Sequence, residues 1–204
     1  MADSALDVAV EAVRDRASLV RISAQWDELA RQALEPSALH APAMTLAALE
    51  AADHCCLSWA RDPERSDLSA TLGGLFPIRR ERSAWGFQSW IVHAPLVGAE
   101  GARRHLAALL DWLKRSGAMV VEFRRVPREG RLNDALAEVL REHDSTVYAC
   151  DIPAPGGVDA SGLRNLVIGL GAVGGMWVSM LPLLERAKRR MAHASRSASP
   201  AVTT

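Results

Sequence analysis

Glu122 is a candidate for acid–base chemistry in this sequence of 204 residues. It lies within residues 118–123 (AMVVEF), a run whose apolar character predicts a short and largely buried strand. A carboxylate on such a strand could serve as a general base, because acids and bases at functional sites are often placed away from bulk water. The alternative interpretation is structural: Glu122 stands at the exposed end of the strand, or it pairs with an arginine such as Arg124.

Three adjacent residues, His54, Cys55 and Cys56, are of types that bind metal ions. No second pair follows at the spacing of a zinc site, so we expect core residues here and no metal. His93 follows a predicted strand and could contact a substrate, although a lone histidine more often has a structural role. Tyr148 is the only tyrosine of the chain and the other candidate for proton transfer.

A strand, a loop, a helix and a second strand are predicted to position these residues. The first strand covers about 85–92, the helix about 100–116 and the second strand 118–123. Gly117 suits the left-handed position that ends a helix. A helix of this length between two strands favours a right-handed crossover between parallel strands. The leucines that recur at i, i+3, i+4 and i+7 define the buried face of the helix: Leu106, Leu109, Leu110 and Leu113.

Alternation, helical periodicity and turn residues predict further elements on both sides of this unit. The upstream elements are, in order, a strand at 18–22, a helix over 24–33 capped by Ser23, a second helix over 42–52, and an antiparallel hairpin of strands 55–60 and 68–80. Gly73 and Gly74 within the hairpin indicate a bulge or a close backbone approach. The downstream elements are a helix over 132–143 and a strand at 146–150.

Length and composition favour one main domain with less ordered ends. The predicted segments are a flexible N-terminus at 1–17, a domain at 18–150, a linker at 151–163, an apolar tail segment at 164–191 and disorder at 192–204. Residues 1–150 carry 18 Lys+Arg against 21 Asp+Glu, and residues 151–204 carry 6 against 3. Neither part has the clustered basic face of a nucleic-acid-binding protein. Three cysteines, and an N-terminus without the apolar run of a signal peptide, favour a cytoplasmic protein.

Four short stretches of the predicted domain match a known family. They are WDEL at 26–29, GLFPI at 74–78, APLV at 94–97 and LLDWL at 109–113. Through them, residues 19–150 resemble the amino-terminal part of GNAT-type acyltransferases related to CelD-like polysaccharide-biosynthesis proteins and the FemAB peptidyl transferases. The resemblance implies an α/β (α+β) fold with a GNAT-like mixed sheet flanked by helices. It also implies transfer of an acyl group from a carrier to an amine or hydroxyl, here of a cell-surface polysaccharide precursor.

The same resemblance implies a small-molecule acyl donor, acyl-CoA, held where the loop 93–101 meets the helix. The donor-binding candidates are Val97, Gly98, Ala99, Gly101, Arg103 and Arg104. Glu122 would be the general base, and Tyr148 would protonate the leaving thiolate. The family's basic first loop residue and its glycine spacing are absent, and Glu100 puts negative charge where the pyrophosphate would lie. Because the family often has two such domains in tandem, we expect this chain to be weak or inactive alone.

Residues 165–184 (NLVIGLGAVGGMWVSMLPLL) contain no charged residue and leave three interpretations open. The first is a nucleotide-binding turn, since Gly169, Gly171 and Gly174 have the spacing G-x-G-x-x-G. The second is a membrane-spanning helix, because about 20 residues suffice to cross a bilayer. The third is a segment that packs against the preceding domain, or a remnant of a second one.

The competing hypothesis for function belongs to another class of protein. The chain would be a non-catalytic domain that binds a partner or a ligand, attached to a membrane through 165–184. No pattern in the sequence predicts an oligomeric state.

Overall fold

The computed structural model describes residues 7–35, 54–61, 70–82, 88–93, 95–143, 145–151 and 162–197. Within these ranges the chain forms eight strands and five helices. They are β1 (Asp7–Val13), α1 (Arg16–Arg21), α2 (Ser23–Arg31), β2 (His54–Arg61), β3 (Thr71–Arg82), β4 (Gln88–His93), β5 (Leu96–Val97), α3 (Ala102–Arg115), β6 (Val120–Pro127), α4 (Arg131–Glu142), β7 (Thr146–Asp151), β8 (Leu163–Gly169) and α5 (Gly171–Ser197).

All eight strands belong to one mixed sheet with the order β1-β2-β3-β4-β6-β8-β7, and β5 pairs with β3 beside this path. Only β4 and β6 pair in parallel among the described strands, from Trp90 opposite Val121 to His93 opposite Arg124. The helix α3 makes the crossover between them. The prediction of two parallel strands joined by this helix is therefore confirmed, as are the antiparallel hairpin of β2 and β3 and the mixed sheet flanked by helices.

The helices α3 and α4 cover one face of the sheet. The four leucines predicted to face inward on α3 are at most 1% exposed, and they pack with Phe76, Val121 and Phe123 of the sheet. On α4 the same periodicity buries Leu132, Leu136, Val139 and Leu140. This layer is the largest of the three hydrophobic clusters among the described residues, and it holds the start of α3 against β3 and β5.

The opposite face of the sheet carries α1 and α2 over one half. Trp26 and Leu29 of α2 are 0% and 3% exposed and pack with Leu57 of β2 and Leu96 of β5. The predicted helix over 24–33 is confirmed as Ser23–Arg31, although Ser23 is its first residue and not its cap. The predicted helix over 42–52 lies outside the described residues.

Two predictions for the N-terminal part are wrong. Residues 18–22 are not a strand, because Asp15 caps a helix there: its carboxylate accepts the N–H of Ser18 at 2.7 Å. The segment 1–17 is not wholly flexible, because β1 runs antiparallel to β2 over its full length. β1 and β8 thus lie outside the range 18–150 predicted for the domain, yet both pair with strands inside it.

The paired glycines of β3 produce the bulge that the sequence predicts. The register between β2 and β3 shifts between Ser58 and Trp59, opposite Gly74 and Leu72. A side chain on Gly73 would overlap the imidazole of His105, which belongs to α3. The bulge therefore brings the helix unusually close to the backbone of β3.

The apolar stretch 165–184 is divided between β8 and α5. β8 lies between β6 and β7 and is antiparallel to both. The first interpretation is a nucleotide-binding turn, and the strand and glycine turn that it requires are both present, with Gly171 at φ +68°. A complete nucleotide-binding fold also requires parallel strands, whereas β8 is antiparallel to both of its neighbours. Gly174 instead allows close packing, since a side chain there would overlap the carbonyl of Met119. Within the described ranges, no helix is both long enough and apolar enough to cross a membrane.

The third interpretation is confirmed for one face of α5. Val178 and Leu181 are buried against Val120 of β6 and Val167 of β8. The helix continues to Ser197 and so enters the range 192–204 for which the sequence predicts disorder.

Leu109→Ala is expected to destabilise the protein by about 2–5 kcal/mol, because Leu109 is fully buried and its truncation leaves a cavity. Denaturant unfolding measures the change, with the exposed Lys114→Ala on the same helix as a control that should change stability by less than about 0.5 kcal/mol. Equal effects of the two substitutions would contradict the face assigned to α3.

Candidate functional site

The central feature of the candidate site is a divergence between β4 and β6. Their parallel pairing ends at His93 and Arg124. Beyond this point the chain continues into β5, which pairs with β3, while β6 bulges between Phe123 and Val126 and follows β8. Arg125 in the bulge has φ +59°, a left-handed conformation that bends the strand. The two strands therefore separate, and a gap opens between β5 and the end of β6.

A groove of about 580 Å³ lies on the α3 and α4 side of this gap. Four of the six predicted donor-binding residues line it: Ala99, Gly101, Arg103 and Arg104. Gly101 has φ +65° and precedes α3. The N–H of Arg104 donates to the carbonyl of Gly101 at 2.9 Å. The N-terminus of α3 carries the positive end of the helix dipole, which favours an anion at this end of the groove. Arg131 of α4 also lines the groove.

Carboxylates in the same groove oppose its positive charge. Arg103 forms an ion pair with Glu138 at 3.1 Å and a close contact with Glu142. Asp134 lines the groove as well. These groups are half exposed, so each ion pair contributes little to stability, but together they reduce the attraction of the groove for a phosphate.

The other two predicted residues, Val97 and Gly98, have their backbone groups engaged by the protein. The predicted loop 93–101 is in fact interrupted by β5. The N–H of Gly98 donates to Gly73 at 2.9 Å, and the carbonyl of Val97 accepts the N–H of Leu34 at 2.7 Å. The N–H of Ala99 donates to Gln32 at 2.9 Å. Residues 32–34 thus form one antiparallel bridge, Ala33 opposite Gly98, on the edge of β5 that faces the gap.

Glu35 follows these residues and reaches the start of α4. We call residues 32–35 the strap. The carboxylate of Glu35 lies 3.4 Å from the N–H of Leu132, and a side chain on Gly130 would overlap it. Leu34 is buried in the same hydrophobic cluster as Val97, Val126 and Leu132. The strap therefore fills the gap and places a carboxylate at the N-terminus of α4. The sequence did not reveal it, because residues 32–35 have no strand pattern of their own.

His105 fixes the first turn of α3 beneath the groove. Its Nδ1 lies 2.9 Å from the Oγ of Ser58, and both residues are buried. Burial, and to a lesser extent the charge of Arg104, lower the pKa of His105 to about 4. The neutral imidazole therefore acts as a support between α3, β2 and the glycines of β3.

A polar cluster lies on the opposite face of the sheet, on both sides of the divergence. Val121 and Phe123 face α3, so the alternating Glu122 and Arg124 face away from it. Arg124 forms ion pairs of 3.0 Å with both Glu122 and Glu81. The structural alternative for Glu122, pairing with Arg124, is therefore observed, and its role as a base stays a prediction.

Asn165 of β8 links this cluster to the bulge in β6. Its side-chain amide donates to Glu122 at 3.2 Å, and its oxygen accepts the N–H of Arg125 at 3.1 Å. Asn165 thus holds the carboxylate and the strained backbone at the same time.

His93 and Tyr148 lie at different distances from the divergence. His93 is the last paired residue of β4, and burial, followed by the charge of Arg124, lowers its pKa. Tyr148 is in register with Val167, which is in register with Glu122. Because neighbouring strands are about 4.8 Å apart, Tyr148 and Glu122 stand on the order of 10 Å apart. The structure therefore does not bring the two predicted catalytic residues together.

The cysteines predicted as core residues are buried. Burial raises the pKa of both Cys55 and Cys56, the latter to about 12. They are therefore protonated thiols in the core near neutral pH. Among the residues that the structure describes, no group of three His, Cys, Asp or Glu could hold a metal ion.

The neutral state of His105 predicts a pH-dependent stability. In the unfolded chain the imidazole has its ordinary pKa of 6.5, whereas in the folded protein the pKa is about 4. Between these values the unfolded chain binds the additional proton, so acid favours unfolding. We expect a loss of about 3 kcal/mol as the pH falls from 6.5 to 4. Denaturant unfolding across this range should show a smaller loss for His105→Gln than for wild type or His143→Gln, and an equal loss in all three would contradict the assignment.

Comparison with solved structures shows what the chain is similar to. The diaminobutyrate acetyltransferase EctA from Paenibacillus lautus, solved with L-2,4-diaminobutyric acid and coenzyme A, matches with 16% identity and a TM-score of 0.50, over 80% of this chain and 95% of that one. A Bacillus subtilis acetyltransferase in complex with CoA matches with 12% identity and a TM-score of 0.46, over 80% and 99% of the two chains. The ribosomal-protein-S18-alanine N-acetyltransferase from Escherichia coli matches with 12% identity and a TM-score of 0.45, over 80% and 93%.

No protein-family model and no curated protein matches the chain. At identities of this size the structural likeness establishes the fold, and it does so through the first of these structures. The chain has the GNAT-like mixed sheet flanked by helices that the sequence predicts.

Proposed function

We propose that this domain transfers an acyl group from a CoA thioester to an amine. The observation that carries the proposal is the divergence of β4 and β6, which has a cation-lined groove on one face of the sheet and a polar cluster on the other. The fold supports it, because EctA, which shares the fold, was solved with both L-2,4-diaminobutyric acid and coenzyme A.

The groove between α3 and α4 would hold the donor. Arg103, Arg104 and Arg131 supply positive charge, and the helix dipole of α3 adds positive potential at its N-terminus. The acyl end of the donor would then enter the gap beside β5. Val97, Gly98, Ala99 and Gly101 lie at this entrance, so the whole predicted set of donor-binding residues remains our proposal.

The polar cluster would receive the acceptor. The carboxylates of Glu81 and Glu122 attract an ammonium group. The proton that the amine must lose would pass to Glu122, the general base that the sequence predicts, or to the neutral His93 beside it. The amine then attacks the thioester carbonyl, a C–N bond forms, the C–S bond breaks and the CoA thiolate takes up a proton. Tyr148 is the proposed donor of that proton, which would have to travel across β8, for example through water.

The finer parts of the proposal rest on the sequence resemblance. A relationship to CelD-like and FemAB proteins, and a cell-surface polysaccharide precursor as acceptor, are supported by the four matching stretches in 19–150. Low activity of the chain alone is supported by two features: the carboxylates that face Arg103, and the strap that occupies the edge of β5.

A non-catalytic domain is the second candidate, and the strap is the observation that favours it. The backbone bonds of Leu34 and Ala99 close the gap from within. A domain that never admits a donor would keep this arrangement permanently.

Neutralising Glu142 is expected to strengthen acetyl-CoA binding, and removing Arg103 to weaken it. In Glu142→Gln the guanidinium of Arg103 loses a competing carboxylate, so affinity should rise by about threefold to tenfold; Arg103→Ala should lower it by a similar factor. Isothermal titration of acetyl-CoA measures both. Lys114→Ala is the matched control, because it removes a cation from the far end of α3, about 16 Å away. Tight binding that neither groove substitution changes would place the donor elsewhere.

His93→Gln is expected to slow acyl transfer by roughly tenfold to a hundredfold if His93, and not Glu122, is the group that takes the proton from the amine. Thiol release from acetyl-CoA with L-2,4-diaminobutyric acid as the probe acceptor measures the rate, with His143→Gln as control. Burial lowers the pKa of His93, so the ratio of the wild-type rate to the His93→Gln rate should hold down to pH 6.5 and decline only in more acidic solution. Acceptor-dependent release that His93→Gln leaves unchanged would exclude it as the base, and donor binding without any release would favour the non-catalytic domain.

A further inference from the structure

The outer face of α5 is apolar although it does not contact the sheet. Val178 and Leu181 are buried on the inner face. On the outer face Val173, Met176, Met180 and Leu183 are 52%, 58%, 42% and 62% exposed, and Trp177 is 39% exposed. No other described helix exposes more than one large apolar side chain in this way. We call these five residues the outer stripe.

The outer stripe has a regular geometry. At about 100° per residue, its members fall within an arc of about 120° on the helix surface. The arc is too wide and too continuous for scattered surface residues, and contiguous exposed apolar surface of this kind usually marks a binding face.

Cations follow the outer stripe along the same helix. α5 contains Arg186, Lys188, Arg189, Arg190 and Arg196 and a single carboxylate, Glu185. Arg186, the first of these cations, is exposed. The sequence of the helix is therefore apolar in its middle and basic in its later turns.

A second copy of α5 does not match this distribution of charge. In a parallel pair, the basic turns of one helix would face the basic turns of the other. In an antiparallel pair they would face residues 171–184, which contain no carboxylate. Neither arrangement supplies counter-charge, so pairing of the two helices would bury the stripe at an electrostatic cost.

We propose that α5 binds the surface of an anionic lipid bilayer, lying in the plane of the membrane. The outer stripe would enter the boundary between head groups and acyl chains, while the cations of the later turns attract lipid phosphates. The inner face stays packed on β6 and β8, so the domain would sit on the membrane with this face of its sheet towards the lipid. The polar cluster, which lies on that face, would then be close to the bilayer surface.

Co-sedimentation of the full chain with lipid vesicles tests the proposal. We expect binding to vesicles of phosphatidylcholine mixed with phosphatidylglycerol, and much weaker binding to phosphatidylcholine alone. Met180→Glu should lower binding roughly tenfold or more, because it places a charge within the stripe. Val147→Glu is the matched control: Val147 has the same 42% exposure but lies on the opposite face of the sheet, and this substitution should leave binding unchanged.

The contribution of charge is tested by Arg186→Gln combined with Arg190→Gln. Binding to the anionic vesicles should fall about fivefold for each cation removed, and more steeply in low salt than in high salt. Circular dichroism establishes that each variant is folded. Equal binding to neutral and anionic vesicles would overturn the proposal. So would a chain that binds no vesicle but forms a dimer in sedimentation velocity that Met180→Glu disperses.

Discussion

The parallel pairing of β4 with β6, and its end at His93 and Arg124, is the constraint on which the rest of the structure depends. A parallel pair requires a crossover, and α3 provides it. Because β5 then follows β3 while β6 bulges towards β8, the sheet must open at this point. The groove, the strap and the polar cluster all take their positions from that opening. Their chemistry differs, but their geometry has one origin.

An opened sheet leaves backbone groups that need partners. Buried N–H and C=O groups are almost always hydrogen-bonded, and an unpaired strand edge is costly. Val97 and Ala99 present such groups towards the gap, and Gln32 and Leu34 satisfy them. The edge of β5 is thus paired on both sides, with β3 on one side and with the strap on the other.

The elements that local pattern determines could be predicted, whereas contacts between distant segments could not. The leucines of α3 recur with a helical period, so the sequence predicts both their burial and the two strands that the helix connects. Residues 18–22 alternate between apolar and polar side chains, as a strand would. The segment is nevertheless helical, because Asp15 caps the helix and Leu19 is buried on it. The four groove residues could be predicted because they adjoin a strand-to-helix turn. The strap could not, since Leu34 and Val97 are far apart in sequence and neither has a pattern that indicates the other.

The same limit applies to charge. The sequence predicts that the negative charge of Glu100 repels a phosphate, because Glu100 directly precedes α3. The structure places the stronger opposition on a different helix, where Glu138 and Glu142 contact Arg103. A sequence shows which charges are neighbours along the chain, and only the packing of α3 against α4 shows which are neighbours across a groove.

The magnitude of the interactions in the strap decides whether a closed gap is compatible with acyl transfer. Its two backbone hydrogen bonds contribute about 0.5–1.5 kcal/mol each, and burial of Leu34 adds about 2 kcal/mol. A donor that displaces the strap would therefore lose about 3–5 kcal/mol, which corresponds to an affinity lower by roughly 10² to 10³·⁵. A donor with amide groups of its own could replace the hydrogen bonds and recover part of this loss. The strap is thus strong enough to lower the affinity of the gap for a donor and too weak to exclude a ligand permanently.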